Sequence, residues 1–411
     1  MIIKEDAMKE SSIIIKKDLL LIKKINEKLK EHYLKIENLG ILSGLSGIIL
    51  FQFLYSKTVK SNTEFDIGYE MIDLAIGKIN NGFNRPTYCN GIAGFCWVLQ
   101  HLSEKRIIEL EVDSFLSQMD GFLISVMELN LKQNNYDFLH GALGYGFYFL
   151  KRYNNTEDVD LKLTYKNNIE KMITYFENTS INDIHGIKWK SREKTNDNIS
   201  IDLGLAHGIT SIINFLTRVY KSQIFANRIE PLIKKAISFL LANESKDPSS
   251  LSLFFDAILN PPLNNPSRLG WCYGDLGIGL TILRASKALK NTELEFTSKR
   301  ILEHTTTRKH LLENAVLDAG LCHGAFGISQ IYGSLFRETN DEQFKKSSLY
   351  WKEEGIKMAN YENGIEFKVW LGVRDWFDYY GLLEGISGIG LSLISHITNF
   401  EEEWDECLMI S

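Results

Sequence analysis

Two short segments of this 411-residue chain carry thiols and an imidazole in matching positions. The segments are GWCYGDLG, which contains Cys272, and GLCHGAFG, which contains Cys322 and His323. When the segments are aligned by their glycines, the two cysteines occupy the same place, two residues before the first glycine. Two thiolates and one imidazole are a zinc ligand set that leaves the fourth tetrahedral position open for water or substrate. The pattern therefore predicts a zinc site of the catalytic type, with the alternative that these are ordinary buried cysteines.

Both segments belong to a series of seven repeats, in which two glycines three residues apart precede an apolar stretch. The first glycines, spaced 47 to 67 residues apart, are Gly44, Gly91, Gly141, Gly208, Gly274, Gly324 and Gly385. Only the fourth copy lacks the second glycine and has Ser211 instead. Each first glycine follows a polar residue: Ser43, Asn90, His140, His207, Tyr273, His323 or Glu384. Repeats of this kind are typical of solenoids and closed rings, so these polar residues are expected to line one shared rim.

The apolar spacing around the repeats predicts helices. Glu64–Ile76 and Glu230–Ala242 have helical periodicity, with Pro231 expected in the first turn of the second segment. Each repeat predicts one amphipathic helix and one helix that is apolar nearly all round and therefore buried. The predicted fold class is all-α, a double-layered α/α toroid of seven inner and seven outer helices with small irregular or β insertions. We expect the glycines to relieve strain in the turns and to let inner helices pack closely.

The repeat also predicts a single domain over residues 1–411, with a small insertion around 182–202 and a second irregular stretch at Ile365–Tyr380. A net charge of −6 gives no basic surface, so nucleic acid is not expected as a partner. Five cysteines do not make a secreted disulfide framework, and no apolar run approaches the roughly 20 residues of a membrane span. These features predict a cytoplasmic protein.

Further polar residues could supply acid–base chemistry beside the metal. His207, in the repeat next to Cys272, is a candidate general acid or base. Asp137 could orient an imidazole, or it could simply cap a helix. Arg268 could stabilise an oxyanion or be a solvated surface charge, and Tyr273 could be catalytic or a packed aromatic side chain.

Two residues in equivalent positions stay open at this stage. His140 precedes the glycine of the third repeat, and it could contribute to the site or be structural. Cys89 occupies the cysteine position in the second repeat. A ring of seven repeats would place Cys89 across the pore from the fifth repeat, so we expect it to be a packed thiol.

The motifs together resemble the lanthionine synthetase C-like family, most closely its bacterial lantibiotic cyclases. The specific parts are R-x-x-W-C-Y-G from Arg268 to Gly274, C-H-G from Cys322 to Gly324, and A-H-G at His207. The resemblance runs through all seven repeats. It implies an α/α toroid, one zinc ion bound by Cys272, Cys322 and His323, and catalytic roles for His207, Asp137, Arg268 and Tyr273.

The reaction implied by the resemblance is thioether ring closure. Cysteine thiolates of a dehydrated lantibiotic precursor peptide add to dehydroalanine or dehydrobutyrine, which gives lanthionine or methyllanthionine. The resemblance also implies a dehydratase and an ABC exporter as partners in a membrane-associated complex. The protein would then be peripheral at the inner face of the cell membrane.

Three other functions are compatible with parts of the pattern. A different thiol-activating zinc enzyme, such as a protein prenyltransferase, usually takes an Asp into the zinc shell and divides the work between two subunits. A non-catalytic member of the same family would bind glutathione or a peptide. A glycoside hydrolase on an α/α barrel would need paired carboxylates, and nothing in the sequence marks Asp275 and Glu384 as a pair.

Overall fold

Helices dominate the computed structural model of the protein, which describes residues 2–191, 201–247, 249–258, 266–360, 366–370 and 375–411. Within these residues the chain forms fourteen α-helices, two short 3₁₀ helices and three two-stranded sheets. No helix in these ranges combines the length and the apolar character that crossing a membrane requires.

Seven helices begin at the residue that follows the first glycine of a repeat, as the sequence predicted. They are α2 (Leu45–Val59), α4 (Ile92–Glu104), α6 (Ala142–Asn155), α8 (Ile209–Lys221), α10 (Asp275–Ala288), α12 (Ala325–Thr339) and α14 (Ile386–Ile397). These helices are buried on all sides over most of their length; in α2, every residue from Leu45 to Ser56 is buried. Complete burial explains why their sequences are apolar nearly all round.

The other seven helices bury one face only, which in α1 refers to residues 15–32. They are α1 (Ile2–His32), α3 (Asn62–Asn80), α5 (Val112–Lys132), α7 (Val159–Thr179), α9 (Ala226–Ala242), α11 (Thr292–Thr306) and α13 (Glu342–Lys357). The 3₁₀ helices are Tyr33–Lys35 and Trp404–Leu408. Helix α9 begins four residues earlier than predicted, because Phe225 takes the left-handed cap position, so Pro231 lies in the second turn rather than the first.

The chain divides into two compact units, of which the first comprises Met1–Asn84 and Asp318–Ser411. In this unit α2 packs on α3, α12 packs on α13, and α14 packs on α1. The buried helices α12, α14 and α2 contact one another in that order. The first and seventh repeats are therefore direct neighbours.

The second unit comprises Arg85–Leu317. Here the buried helices α4, α6, α8 and α10 contact in sequence order. The amphipathic helix that follows each of them packs against it, as α7 does on α6, α9 on α8 and α11 on α10. The organisation of residues 1–411 as one domain stays a prediction.

The three sheets are small antiparallel pairs. Strand β1 (Ile181–Asp183) pairs with β2 (Gly186–Lys188), β3 (Ile201–Asp202) with β4 (Ala257–Ile258), and β5 (Lys368–Trp370) with β6 (Trp376–Asp378). The stretch at 182–202, where an insertion was predicted, thus contains a hairpin and the strand β3. Its residues 192–200 lie outside the described residues, as do 365 and 371–374 of the second stretch.

Most of the repeat glycines are required because a Cβ at their position would clash with neighbouring atoms. Unusual backbone angles are the less common reason. Only Gly274 has a positive φ, at 87°, whereas the other six first glycines have extended backbones. A Cβ on Gly91 would lie 2.1 Å from the carbonyl oxygen of Arg85. A Cβ on the second glycine Gly388 would lie 1.9 Å from the Leu382 oxygen and 2.6 Å from Leu321 Cδ1. The predicted strain relief therefore applies to Gly274, and the second glycines make room for turns rather than for a neighbouring helix.

One half-buried histidine makes the stability of the first unit depend on pH. The Nε2 atom of His396, on α14, lies 2.9 Å from Ser329 Oγ on α12. Burial, with a further contribution from the nearby Lys352 cation, lowers the pKa of His396 to about 3. The imidazole is therefore neutral in the folded protein at every pH at which the protein is expected to function.

We predict that wild-type protein loses stability as the pH falls from about 6.5 towards 3, because the unfolded chain then binds a proton that folded His396 does not. The slope reaches about 1.4 kcal/mol per pH unit. Urea unfolding between pH 7 and 4 measures it, and His396→Gln should flatten the curve. The exposed His310 provides the control His310→Gln. An equal slope in His396→Gln and wild type would contradict the prediction.

Candidate active site

Backbone hydrogen bonds join the turn that precedes one repeat glycine to the corresponding turn of the next repeat. In the second unit the amides of Leu205 and Ala206 donate to the carbonyl oxygen of Cys272, at 2.9 and 3.2 Å. This contact places the turn that ends in His207 against the turn that carries Cys272 and Tyr273. The ring centroids of His207 and Tyr273 are 6.3 Å apart.

His207 and Asp137 form a hydrogen-bonded ion pair. The Nδ1 atom of His207 bonds Asp137 Oδ2, and the other carboxylate oxygen accepts the backbone amide of His140 at 2.7 Å. Burial lowers the pKa of His207, but the hydrogen bond and charge of Asp137 outweigh burial and raise that pKa above its usual range. The carboxyl of Asp137 has a lowered pKa, because His207 and the His140 amide offset the effect of burial. Asp137 thus favours the protonated form of the imidazole and engages its Nδ1 atom.

Tyr273 is held by Asp202, which the sequence analysis did not identify. The Tyr273 hydroxyl donates to Asp202 Oδ2 at 3.1 Å, and Asp202 Oδ1 accepts the amide of Gly204 at 2.7 Å. Burial raises the pKa of the Asp202 carboxyl and also that of the Tyr273 phenol. Tyr273 is therefore a hydrogen-bonded rim residue with a fixed hydroxyl, not only a packed aromatic ring.

A second overlooked carboxyl belongs to Asp256, just before β4. Its Oδ1 atom is buried and has no hydrogen-bond partner among the described residues. Burial raises the pKa of Asp256 to about 6, against the opposing charge of Arg268 and with added repulsion from Cys272 and Asp202. Arg268 is half-buried and acts electrostatically on this carboxyl, so it is not a fully solvated surface charge.

The first unit carries Cys322 and His323. Cys322 is half-buried, and the Nε2 atom of His323 lies 3.7 Å from Asp318 Oδ2. Asp318 is itself fixed, because its two oxygens accept the amides of Gly320 at 2.9 Å and Trp370 at 3.1 Å. A carboxylate behind one ring nitrogen is the usual support of a metal-binding imidazole. Cys272 in the second unit is almost fully buried, and none of the five cysteines forms a disulfide.

The sequence contained a signal for two of the overlooked carboxylates. Repeats four and six share the pattern D-x-G-L-x-H-G, from Asp202 to Gly208 and from Asp318 to Gly324. In both, the aspartate accepts the amide two residues later, and a Cβ on the final glycine would lie 2.3 to 2.5 Å from its Oδ1. The pattern therefore builds one turn twice, with the aspartate packed beneath the glycine that follows the histidine.

Three other residues near the repeat glycines have structural surroundings. Cys89 is buried and its amide donates to the Leu139 carbonyl at 3.0 Å, which agrees with a packed thiol. His140 is exposed and uses its backbone amide to hold Asp137. Asp275 is fully buried against Arg308 at 3.0 Å, so it is not the solvent-facing acid of a glycoside hydrolase.

Comparison with known proteins gives consistent matches over almost the whole chain. A family model described as lanthionine synthetase C-like protein matches residues 35–409. The nisin biosynthesis protein NisC of Lactococcus lactis subsp. lactis is 24% identical over 404 residues, which cover 90% of this chain and 89% of that protein. The solved structure of nisin cyclase matches with a TM-score of 0.75 at 20% identity, covering 95% of this chain and 96% of that one. This likeness shows the fold, and the predicted all-α class, an α/α toroid, is confirmed.

We predict that Asp137→Asn lowers the pKa of His207, because the imidazolium loses its ion-pair partner. Proton NMR titration of the imidazole signals measures the shift, with the His207 signal assigned by its loss in His207→Gln. Asp113→Asn serves as the control, since Asp113 pairs with Arg152 instead. An unchanged His207 titration in Asp137→Asn would refute the proposed ion-pair effect.

Proposed function

The chain belongs to the lanthionine synthetase C-like family, and on that premise we propose that it is a zinc-dependent peptide cyclase. Its substrate is a dehydrated lantibiotic precursor peptide. The reaction adds a substrate cysteine thiolate to the β-carbon of dehydroalanine or dehydrobutyrine and forms a lanthionine or methyllanthionine thioether. The observation that carries the proposal is the ion pair between His207 and Asp137. The turn that ends in His207 is hydrogen-bonded to the backbone carbonyl of Cys272.

We propose that Cys272, Cys322 and His323 together bind one zinc ion. Thiols and an imidazole are the kinds of donor that zinc prefers. Asp318 lies 3.7 Å from Nε2 of His323, where it would support a metal-binding imidazole. When bound, zinc supplies the positive charge that lowers the pKa of a thiol.

The substrate thiol needs this activation. A free cysteine with a pKa near 8.5 is only about 3% thiolate at pH 7. Complete deprotonation therefore increases the nucleophilic population roughly thirtyfold before any change in intrinsic reactivity. A neutral His323 with two thiolates makes the protein's own contribution to the site doubly negative, which balances the charge of a divalent cation.

His207 is the proposed proton donor. Attack of sulfur on the β-carbon forms the C–S bond and moves the π electrons of the alkene towards the neighbouring carbonyl, which gives an enolate. The α-carbon then requires a proton. Asp137 favours the protonated form of His207 and occupies its Nδ1, so we assign the delivered proton to Nε2.

Arg268 and Tyr273 act on the same intermediate. The half-buried Arg268 guanidinium is the proposed stabiliser of the enolate oxygen, because opposite charge in a partly desolvated site has a large effect on the barrier. Tyr273 donates its hydroxyl proton to Asp202, so its oxygen can accept a hydrogen bond from the peptide. We assign Tyr273 to holding the dehydrated residue in place.

We also propose the setting that the family resemblance predicts. A dehydratase would supply the dehydrated peptide, and an ABC exporter would remove the product. The cyclase would act in the cytoplasm at the inner face of the membrane through these partners. Co-purification from membranes with and without the partner proteins tests this arrangement.

We predict that purified protein contains about one zinc ion per chain, as a single three-ligand site implies. Cys272→Ala and Cys322→Ala should each abolish stoichiometric zinc, measured by elemental analysis alongside thermal unfolding. Cys96→Ala is a matched control, because Cys96 is fully buried and burial raises the pKa of its thiol. Stoichiometric zinc in both ligand variants would eliminate this ligand assignment.

We predict that wild-type protein closes rings in a dehydrated precursor peptide and that His207→Gln slows closure by about 10²- to 10⁴-fold with zinc retained. Mass spectrometry with thiol alkylation counts the cysteines that remain free. His310→Gln is the control at an exposed histidine. Loss of zinc in His207→Gln would make His207 a ligand instead. Peptide or glutathione binding without ring closure by the wild type would support the non-catalytic alternative.

A further inference from the structure

Arg308, a buried residue just after α11, binds both ends of one segment of the proposed active site. We call residues 267–275 the site loop; it carries Arg268, Cys272 and Tyr273. The Nη2 atom of Arg308 donates to the carbonyl oxygen of Ser267 at 2.6 Å, and Nη1 donates to Asp275 Oδ2 at 3.0 Å. One guanidinium thus joins the first and last residues of the site loop.

The third nitrogen of Arg308 connects the loop to a separate support. Nε donates to Asn314 Oδ1 at 2.8 Å, and the Asn314 carbonyl accepts the amide of Leu269 at 3.0 Å. Arg308 and Asn314 together therefore contact the loop at three points. The interior of the loop folds back on itself, because the Arg268 carbonyl oxygen is 2.4 Å from where a Cβ of Gly274 would be.

The Asp275 end of the loop is equally constrained. Asp275 is fully buried, and its carboxylate accepts the amides of Leu253 and Phe254 at 3.0 and 2.9 Å in addition to Arg308. These contacts tie the loop to the segment that leads to Asp256 and β4. Removing one partner of a buried ion pair leaves an uncompensated charge, so the pair fixes the local structure strongly.

We propose that Arg308 and Asp275 are positioning residues that hold the site loop where Cys272 can serve as a metal ligand and Arg268 can face the substrate. The inference rests on the proposed function for the roles of Cys272 and Arg268. We call the attachment of both ends of the site loop through Arg308 and Asp275 the clamp. The clamp rests only on the contacts described above. Because three separate groups are bound by the fork of one guanidinium, lysine cannot replace it.

Position matters because Cys272 is also joined to the turn of His207. Its carbonyl oxygen receives the amides of Leu205 and Ala206, so a displaced loop loses those two hydrogen bonds. The amides of Ser267 and Leu269 are bonded as well, to Ser252 Oγ at 2.9 Å and to the Asn314 carbonyl. These four amides report whether the loop is in place.

The decisive experiment is hydrogen exchange on the metal-free chain, resolved to these four amides and referenced to amides in α8 and α9. Arg308→Lys retains the charge but not the fork, and it should speed exchange at the four amides by about tenfold or more relative to the reference helices. Asp275→Asn should do the same and provides a second variant if the first folds poorly.

Arg152→Lys is the matched control. Arg152 is also a fully buried arginine of the second unit, in the last turn of α6, where it binds Gln100, Tyr165 and Asp113. A general loss of stability would speed exchange in all helices of either variant. Wild-type rates at the four amides in Arg308→Lys, or an equal increase in Arg152→Lys, would overturn the clamp.

Zinc competition with a chelator tests the connection to the metal. Arg308→Lys should weaken zinc binding by about 10- to 100-fold, as loss of a supporting contact does at other metal sites, while Arg152→Lys should not. Faster loop exchange with unchanged zinc affinity would overturn the positioning role towards Cys272. A wild-type protein without zinc would count against the proposed function alone, because the exchange experiment is carried out without metal.

Discussion

The hydrogen bonds from the Leu205 and Ala206 amides to the Cys272 carbonyl are the contact on which the candidate site depends. They bring the two turns so close together that a Cβ on Gly204 would lie only 2.5 Å from the Cys272 carbonyl oxygen. The same kind of contact recurs in the first unit, where the amides of Leu321 and Cys322 donate to the Leu383 carbonyl. Turns joined in this way place the side chains that follow them next to each other.

Two aspartates near these turns have pKa values shifted in opposite directions, because their surroundings differ. Asp137 has a lowered pKa, since it pairs with His207 and a backbone amide. Asp256 has a pKa raised to about 6, since burial outweighs the charge of Arg268. Asp137 thus favours its ionised form beside His207, whereas burial favours the neutral carboxyl of Asp256.

The repeats supply the framework, and departures from their symmetry supply the chemistry. Repeats four and six build the same turn from D-x-G-L-x-H-G, yet Asp202 binds the phenol of Tyr273 whereas Asp318 lies behind its own His323. Repeat five lacks the aspartate and has a site loop clamped by Arg308 instead. Turns of similar backbone therefore have different side-chain contacts, because the residues packed against each turn come from different repeats.

The sequence by itself determined the positions of the seven buried helices, since glycine spacing and apolar periodicity are local properties of the chain. It also singled out His207 and Tyr273, which directly precede repeat glycines, and Asp137, which lies four residues before Gly141. Only the tertiary structure decided which groups they contact: Asp137 is 70 residues from His207, and Asp202 is 71 residues from Tyr273. The sequence could not predict the ion pair of Arg308 with Asp275 or the raised pKa of Asp256. A pKa or an ion pair depends on burial and on partners that are distant in sequence. Hydrophobic patterning specifies where a helix forms, whereas the partner of a charged side chain is fixed only when the turns pack.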